Sequence, residues 1–407
     1  MTSQLKKYFF ESDQQISIQE ALYEVKQHLH SYEGVYHFYY AKILERLDVD
    51  QSHFISIIDQ LEKGYAKKDP FSMFLYAKYL QVEKSPFYQP VKAYQLFLEA
   101  QPLMMKHIHD NDPFACHLYG GCLYQGIFMT SNREEAVQYF QIASSHHLLE
   151  SYDTLYQLHQ KKGIHFNPSL SASFMEKGIQ ANDALLLFKK AMIHVSKKED
   201  METVYYLQKS ADLDLSHACF ALANIYIKQK QHDKAFVLME KAASFDHPHA
   251  LYMLSLAYAS GKGAIKDLGK SRFYLEKAVS LNHVVSMNQL AMSLMRETPK
   301  DHVRIYELLS QATQRKDPLA TYNLAMMFFL GDGVYQNQSK AYKLLDSMKH
   351  TQLPMVLYQL GVMLTEGIGT DKNEELGKTY LKQAADKKFK LANEYLNRKL
   401  KTNGFVA

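Results

Sequence analysis

Three stretches of this chain superimpose on one another as plain text: ALYMLSLAYASGKGAIKDLG from Ala250, ATYNLAMMFFLGDGVYQNQS from Ala320 and VLYQLGVMLTEGIGTDKNEE from Val356. Counting from the first residue of each, position 5 is Leu254, Leu324 and Leu360, and position 9 is Tyr258, Phe328 and Leu364. Positions 12 and 14 are glycine in all three: Gly261, Gly331 and Gly367, then Gly263, Gly333 and Gly369. With lower fidelity the same frame starts near Ala115, Ser151, Ala184, Ala218, Ser286 and Ala392, at spacings of 32 to 36 residues. Phe71 opens a related stretch, FSMFLYAKYL, and a similar phase shows near His37. The stretch from 71 to 115 is longer and carries Pro86, Pro90, Pro102 and Pro113, which reads as a degenerate unit with an insertion. A period of this length belongs to repeat architectures, in which each unit must stack on its neighbours to bury an apolar face.

Each unit reads as two helices. In the first, apolar residues at positions 1, 5, 8 and 9 share one face of a 3.6-residue period. Glycines at 12 and 14 stop that helix, because glycine tolerates the left-handed conformation a helix end requires. Asp267, Asn337 and Asn373 at position 18 are placed to cap the second helix. That helix is expected to bury positions 22, 25 and 29, such as Ala136, Tyr139 and Ala143. The expected fold is all-α, a right-handed α/α superhelical solenoid. Its expected parts are an N-terminal helical cap over 1–33, divergent helix pairs with an insertion over 34–110, regular pairs over 111–391, and a capping helix and tail over 392–407. The aromatic zone Tyr8, Phe9, Tyr32, Tyr36, Phe38, Tyr39 and Tyr40 reads as the cap packing on the first repeat.

The pattern resembles the Sel-one-like repeat (SLR), a relative of the tetratricopeptide repeat. The family shows Ala-x-x-x-Leu-Gly-x-x-Tyr, then Gly-x-Gly, then Lys-Ala with an aromatic, then Lys-Ala-Ala. The best matches are Leu360-Gly361, Gly331-x-Gly333, Lys340-Ala341, Lys277-Ala278 and Lys241-Ala242-Ala243. The units from 151, 184, 218 and 286 lack the Gly-x-Gly loop, and the last has Arg296, Glu297, Thr298 and Pro299 instead. What the resemblance implies is protein–protein adaptor work, often in bacteria, with no chemistry of its own. SLR proteins serve as adaptors or secreted effectors and also as immunity proteins that mask a toxin, and both settings stay open.

If the first helices follow the tetratricopeptide geometry, positions 3, 7 and 10 face a concave groove. Position 3 then supplies Phe220, Tyr252, Asn288, Tyr322 and Tyr358, position 7 supplies Met292 and Met326, and position 10 supplies Phe329. Tyrosine offers large contact area at low entropic cost and methionine adapts its shape, which suits a peptide or helix laid along the groove. The same rings could instead pack between adjacent repeats.

Other function classes find less support. Gly263 to Ser271 mimics a phosphate-binding loop, yet it has five residues, not four, before Gly269-Lys270-Ser271 and follows a helix, not a strand. The nineteen histidines include no His-Glu-x-x-His, and Cys116 and Cys122 have no second cysteine pair, so no metal and no cofactor is expected. No catalytic residue set is recognisable. Lys plus Arg is 47 against 43 for Asp plus Glu, a net charge of +4 that argues against a nucleic-acid partner. An RNA-reading helical repeat would also need polar side chains where positions 7 and 10 are mostly apolar. The longest apolar runs, such as Leu324 to Leu330, are far short of the roughly 20 residues of a membrane helix. No signal peptide is evident, and three cysteines suit a reducing compartment, so a cytoplasmic chain is expected, with leaderless export still open.

Overall fold

The computed structural model describes residues 1–10, 16–30, 33–47, 53–83, 85–160 and 163–403, without the side chains of 399–403. Tyr32 of the aromatic zone lies outside the described residues. The expected all-α fold is the fold observed. Among the described residues there are twenty-three α-helices, one 3-10 turn (Lys349–Thr351) and an isolated β-bridge between Phe10 and Leu148. They divide into two units, Met1–Asp267 and Leu268–Ala407.

The first unit opens with α1 (Ser3–Phe9), α2 (Ile18–His28), α3 (Val35–Leu47) and α4 (Phe54–Ala66). Helix pairs follow: α5 (Pro70–Leu80) with α6 (Pro90–His109), α7 (Pro113–Gln125) with α8 (Arg133–Ser145), and α9 (Leu149–Gln160) with α10 (Pro168–Gln180). Then come α11 (Ala184–Lys197) with α12 (Asp200–Asp212), α13 (Ser216–Lys228) with α14 (His232–Ser244), and α15 (Pro248–Ser260). The second unit begins at α16 (Leu268–Ser280) and pairs α17 (Val284–Leu294) with α18 (His302–Gln314) and α19 (Pro318–Leu330) with α20 (Gln338–Ser347). It ends with α21 (Pro354–Glu366), paired with α22 (Glu374–Asp386), and α23 (Lys390–Asn403). The insertion expected between 71 and 115 lengthens α6, which has 20 residues where most second helices have 13.

Capping sets the register. The side chains of Asp69, Asp112, Asp183 and Asp317 accept the backbone N–H three residues on, at Ser72, Ala115, Leu186 and Ala320, and proline often follows at the first helical position. One residue before each of these caps, the chain turns left-handed. Lys68, Asn111, His147, Asn182, Asp214 and Asp246 in the first unit have positive φ, as do Asn282, Lys316, Gln352 and Lys388 in the second. Gln352 follows the 3-10 turn; each of the others stands at the end of a second helix, where the next N–H returns to a carbonyl of the last turn, as Asp112 N–H does to His107. This backbone mark moves two unit starts. The unit read from Phe71 begins at Ser72, and the one read from Ala184 begins at Leu186. The small alanine at 184 suggested the wrong frame, whereas the cap fixes the helix.

Burial follows the helical period. Position 1 is wholly buried as Ala115, Ser151, Ala218, Ala250, Ser286, Ala320 and Val356. On the second helix the expectation at position 25 is corrected. Tyr139, Tyr274, Leu344 and Tyr380 are only half-buried, and the next residue, Phe140, Leu275, Leu345 or Leu381, enters the core. The two glycines of the loop do different jobs. Gly367 ends α21 in the left-handed conformation, with φ 72°. Gly369 lies against the preceding repeat, where a β-carbon would come within 2.3 Å of the Gln338 carbonyl at the start of α20.

The N-terminal helices reach well beyond the first repeat. Phe9 meets Phe114 edge-to-face at 5.2 Å and Tyr39 at 5.7 Å, and Phe38 contacts both Phe71 and Phe114. Phe10 bridges to Leu148, Arg46 pairs with Asp183, and the Gln19 N–H donates to Asp214. These partners sit at the junctions that open five successive repeats. The described residues of α1, α2 and α3 therefore form a strap across those junctions, where the aromatic pattern alone suggested an end cap. Leu5, Tyr8, Phe9 and Ile18 are the buried side chains by which its first two helices dock.

Candidate functional site

With the register set by the caps, positions 3, 7 and 10 form a second face on each first helix. All eight residues expected to line a groove are half-buried: Phe220 and Tyr252 in the first unit, and Asn288, Met292, Tyr322, Met326, Phe329 and Tyr358 in the second. Leu186, which the sequence frame put at position 3, is wholly buried because it is position 1 of its unit. Phe188 takes its place and is half-buried.

The rings at position 3 also pack along the array. Phe220 stacks on His247 at 4.7 Å, and Phe188 lies 5.8 Å from His217. In the second unit Tyr358 packs on Phe389 at 5.5 Å and meets Tyr395 edge-on at 6.4 Å. Asn323 donates to Asn288 at 2.8 Å, tying α19 to α17. Burial, with Tyr358 close by, pushes the Tyr322 phenol above its ordinary pKa. Phe220 and Tyr358 thus join repeats with one ring face while remaining partly open to solvent.

In the first unit the same register lines two cavities. One, of about 400 Å³, is apolar and is walled by Ile227, Met253, Leu256 and Ala259 with Ala235 and Met239 of α14. The other, of about 280 Å³, lies among α3, α5, α7 and α9 and is polar. His117, Gly121 and Tyr124 are positions 3, 7 and 10 of one repeat, with Lys78 and Gln157 at position 7 of the repeats on either side.

Behind this polar wall lies a buried ion network. Lys42 pairs with Glu45 and, at 3.0 Å, with Glu150. His117 Nδ1 lies 3.0 Å from the Ser151 hydroxyl and its Nε2 is 3.6 Å from Glu150. Arg46 reaches Asp183 at 3.3 Å and sits over the Tyr8 ring, and Lys189 pairs with Asp153. Burial favours a neutral Glu150, but Lys42, His117 and Arg46 overcome it and pull its pKa down to about 2. Burial opposes the charge on Lys42 as well, and Glu150 and Glu45 outweigh it and hold the ammonium protonated. Burial dominates at His117 and, with Lys42 and Lys78 nearby, lowers its pKa to about 4, so the imidazole is neutral near pH 7. The frames that start at Ala115 and Ser151 place His117 and Asp153 at position 3 and Tyr124 at position 10, so the register by itself points to them. Lys78 falls outside the frame read from Phe71, which is one residue out, and Glu150, Asp183 and Lys189 have partners distant in sequence.

No group of three or more His, Cys, Asp or Glu among the described residues is arranged to hold a metal. Burial raises the thiols of Cys116 and Cys122 to about 11 and that of Cys219 to about 12, which keeps them protonated. Within the mimic of a phosphate loop, Gly263 lies against the His232 carbonyl. Among the described residues, no helix is long and apolar enough to cross a membrane.

The Sel1 repeat is matched at residues 113–147, 197–215, 216–244, 248–283, 318–347 and 354–389. Among solved structures, the chain is similar to a protective antigen present in uropathogenic Escherichia coli strains that displays an SLR fold. The TM-score is 0.62 at 16% identity, over 94% of this chain and 90% of that one. A Sel1 repeat protein from Oxalobacter formigenes aligns with a TM-score of 0.38 at 18% identity, over 84% and 89% of the two chains. At 16% identity, the first of these speaks to fold alone. No curated protein matches the sequence.

Proposed function

We propose that this chain, which carries six Sel1 repeats in an array of stacked helix pairs, is a non-enzymatic scaffold that binds a protein or peptide partner. Binding uses the face formed by positions 3, 7 and 10 of the first helices. One observation carries the reading. In the repeats that start at Ala250, Ser286 and Ala320, positions 1 and 5 are consumed by the core, whereas Tyr252, Met292, Tyr322 and Met326 keep part of their surface open in the same register. Within each unit, half-open aromatic and thioether side chains recur at a fixed spacing along successive first helices, and contact area of that kind favours an elongated partner segment. The stacking of Phe220 and Tyr358 supports the surface from behind, since it fixes the rings before a partner arrives and reduces the entropy lost on binding.

The test is affinity capture from native-host extract with the wild-type chain and with M292E and M326E. A protein captured stoichiometrically by wild type and lost from both variants, with thermal unfolding retained, supports the reading. Its identity separates an adaptor or effector from an immunity-type protein, which would capture a toxin. Capture unchanged by both substitutions would move binding off this face.

A further inference from the structure

We propose that the polar cavity among α3, α5, α7 and α9 is a carboxylate subsite that takes the side chain of a glutamate or aspartate in an extended segment of the partner, with Lys78 as its counter-charge. The proposal rests on the scaffold reading above and names the chemistry of one stretch of the same face.

The first support is charge. The other cations around the cavity are taken up internally: Lys42 by Glu45 and Glu150, Arg46 by Asp183, and Lys189 by Asp153. Lys78 differs. It lines the cavity half-buried, and no carboxylate of the described residues pairs with its ammonium. A partly desolvated cation without a counter-ion is unfavourable, and an incoming carboxylate relieves that cost through a charge-assisted hydrogen bond.

Shape is the second support. Gly121 stands at position 7 beside Lys78, and a β-carbon there would meet only the Lys78 ammonium, at 3.8 Å. Any side chain at 121 would occupy the space that an acidic group needs. The cavity volume of about 280 Å³ holds a glutamate side chain with its neighbouring peptide groups, and Gln125, Gln157 and Thr154 provide neutral donors and acceptors for those amides.

Selectivity is the third. The cavity offers one free ammonium, and Glu45 shares its wall. That balance suits a single negative charge flanked by amides. A phosphate dianion or a nucleic-acid backbone would meet one unpaired cation, since Lys42 on the same wall is already shared between Glu45 and Glu150.

The experiment uses the full chain and an array of short peptides synthesised in pairs that differ only by a central Glu or Gln. Binding is read as fluorescence anisotropy for wild type, K78M, K78R and G121L, each checked for unaltered thermal unfolding. In the expected result, wild type prefers Glu members about tenfold, the scale of one charge-assisted hydrogen bond. K78R keeps the preference, whereas K78M and G121L lose it. Peptides that bind with no Glu preference, or a preference that survives K78M, overturn the subsite and leave the scaffold standing. An array with no member bound overturns both. Phosphoserine peptides or single-stranded RNA that outcompete the Glu members identify a different anion and also overturn the subsite. Should K78M or G121L unfold, K78Q and G121S replace them with the same expected losses.

Discussion

Arg46, near the end of α3, donates from Nη2 to the carboxylate of Asp183 at 3.3 Å, although 137 residues separate them. The same carboxylate caps α11 by accepting the Leu186 N–H. One buried acid therefore holds the N-terminal strap and starts a repeat helix. The arginine is charge-paired on one side and lies over the Tyr8 ring on the other.

Removing the arginine leaves Asp183 buried without its cation. R46M is expected to lose about 3 kcal/mol of stability, in line with other broken buried pairs. The double variant R46M/D183N should recover part of it, since asparagine still caps the helix without a stranded charge. Urea unfolding of the three proteins checks this. Equal losses in the single and double variants would mean that the pair contributes little beyond packing.

His117 predicts an acid dependence. Its pKa is about 4 in the folded chain against an ordinary 6.5. Between those values the unfolded chain takes up a proton that the folded chain refuses. The contribution of His117 is thus complete above pH 6.5 and declines as pH falls towards 4, by about 1 kcal/mol per unit. Glu150, about 2 in the folded chain against 4.5, adds stability above pH 4.5 that is lost towards pH 2. H117Q should flatten the urea midpoint between pH 6.5 and 4.5 while retaining the lower decline. A wild-type slope unchanged in H117Q would place the titrating group elsewhere.

The two loop glycines of the last regular repeat should differ in their tolerance of alanine. At Gly367 the nearest contact of an added β-carbon is the Lys372 side chain at 3.2 Å, so G367A meets mainly the left-handed backbone penalty, about 1 kcal/mol. At Gly369 the same group would strike the Gln338 carbonyl at 2.3 Å, so G369A should lose a further 1–3 kcal/mol, roughly the cost of overpacking. Guanidinium unfolding of both variants compares them directly, and equal losses would refute the close-approach role of the second glycine.

Phe220 and Met326 should separate stability from recognition. F220A removes a ring stacked on His247 and should cost about 2 kcal/mol, below the range for a fully buried phenylalanine. M326A alters a half-buried side chain of the proposed partner face and should affect capture more than melting. Differential scanning calorimetry together with partner capture reads both, and a reversed ranking would move the recognition surface away from position 7.

Helix pairs, their period and the apolar face at positions 1 and 5 were legible in the sequence, because a 3.6-residue repeat of apolar side chains admits one local solution and glycine or asparagine marks its ends. The half-buried face at positions 3, 7 and 10 was legible for the same reason: on a helix, the register that buries one stripe also determines which stripe lies beside it. Tertiary structure alone decided the rest. The frames at Ser72 and Leu186 follow from caps and from left-handed turns at Lys68 and Asn182, residues that carry no glycine signature. The pairs Lys42–Glu150 and Arg46–Asp183 exist because the strap crosses the repeat junctions, and attraction between charges depends on distance in space and leaves no period along the chain.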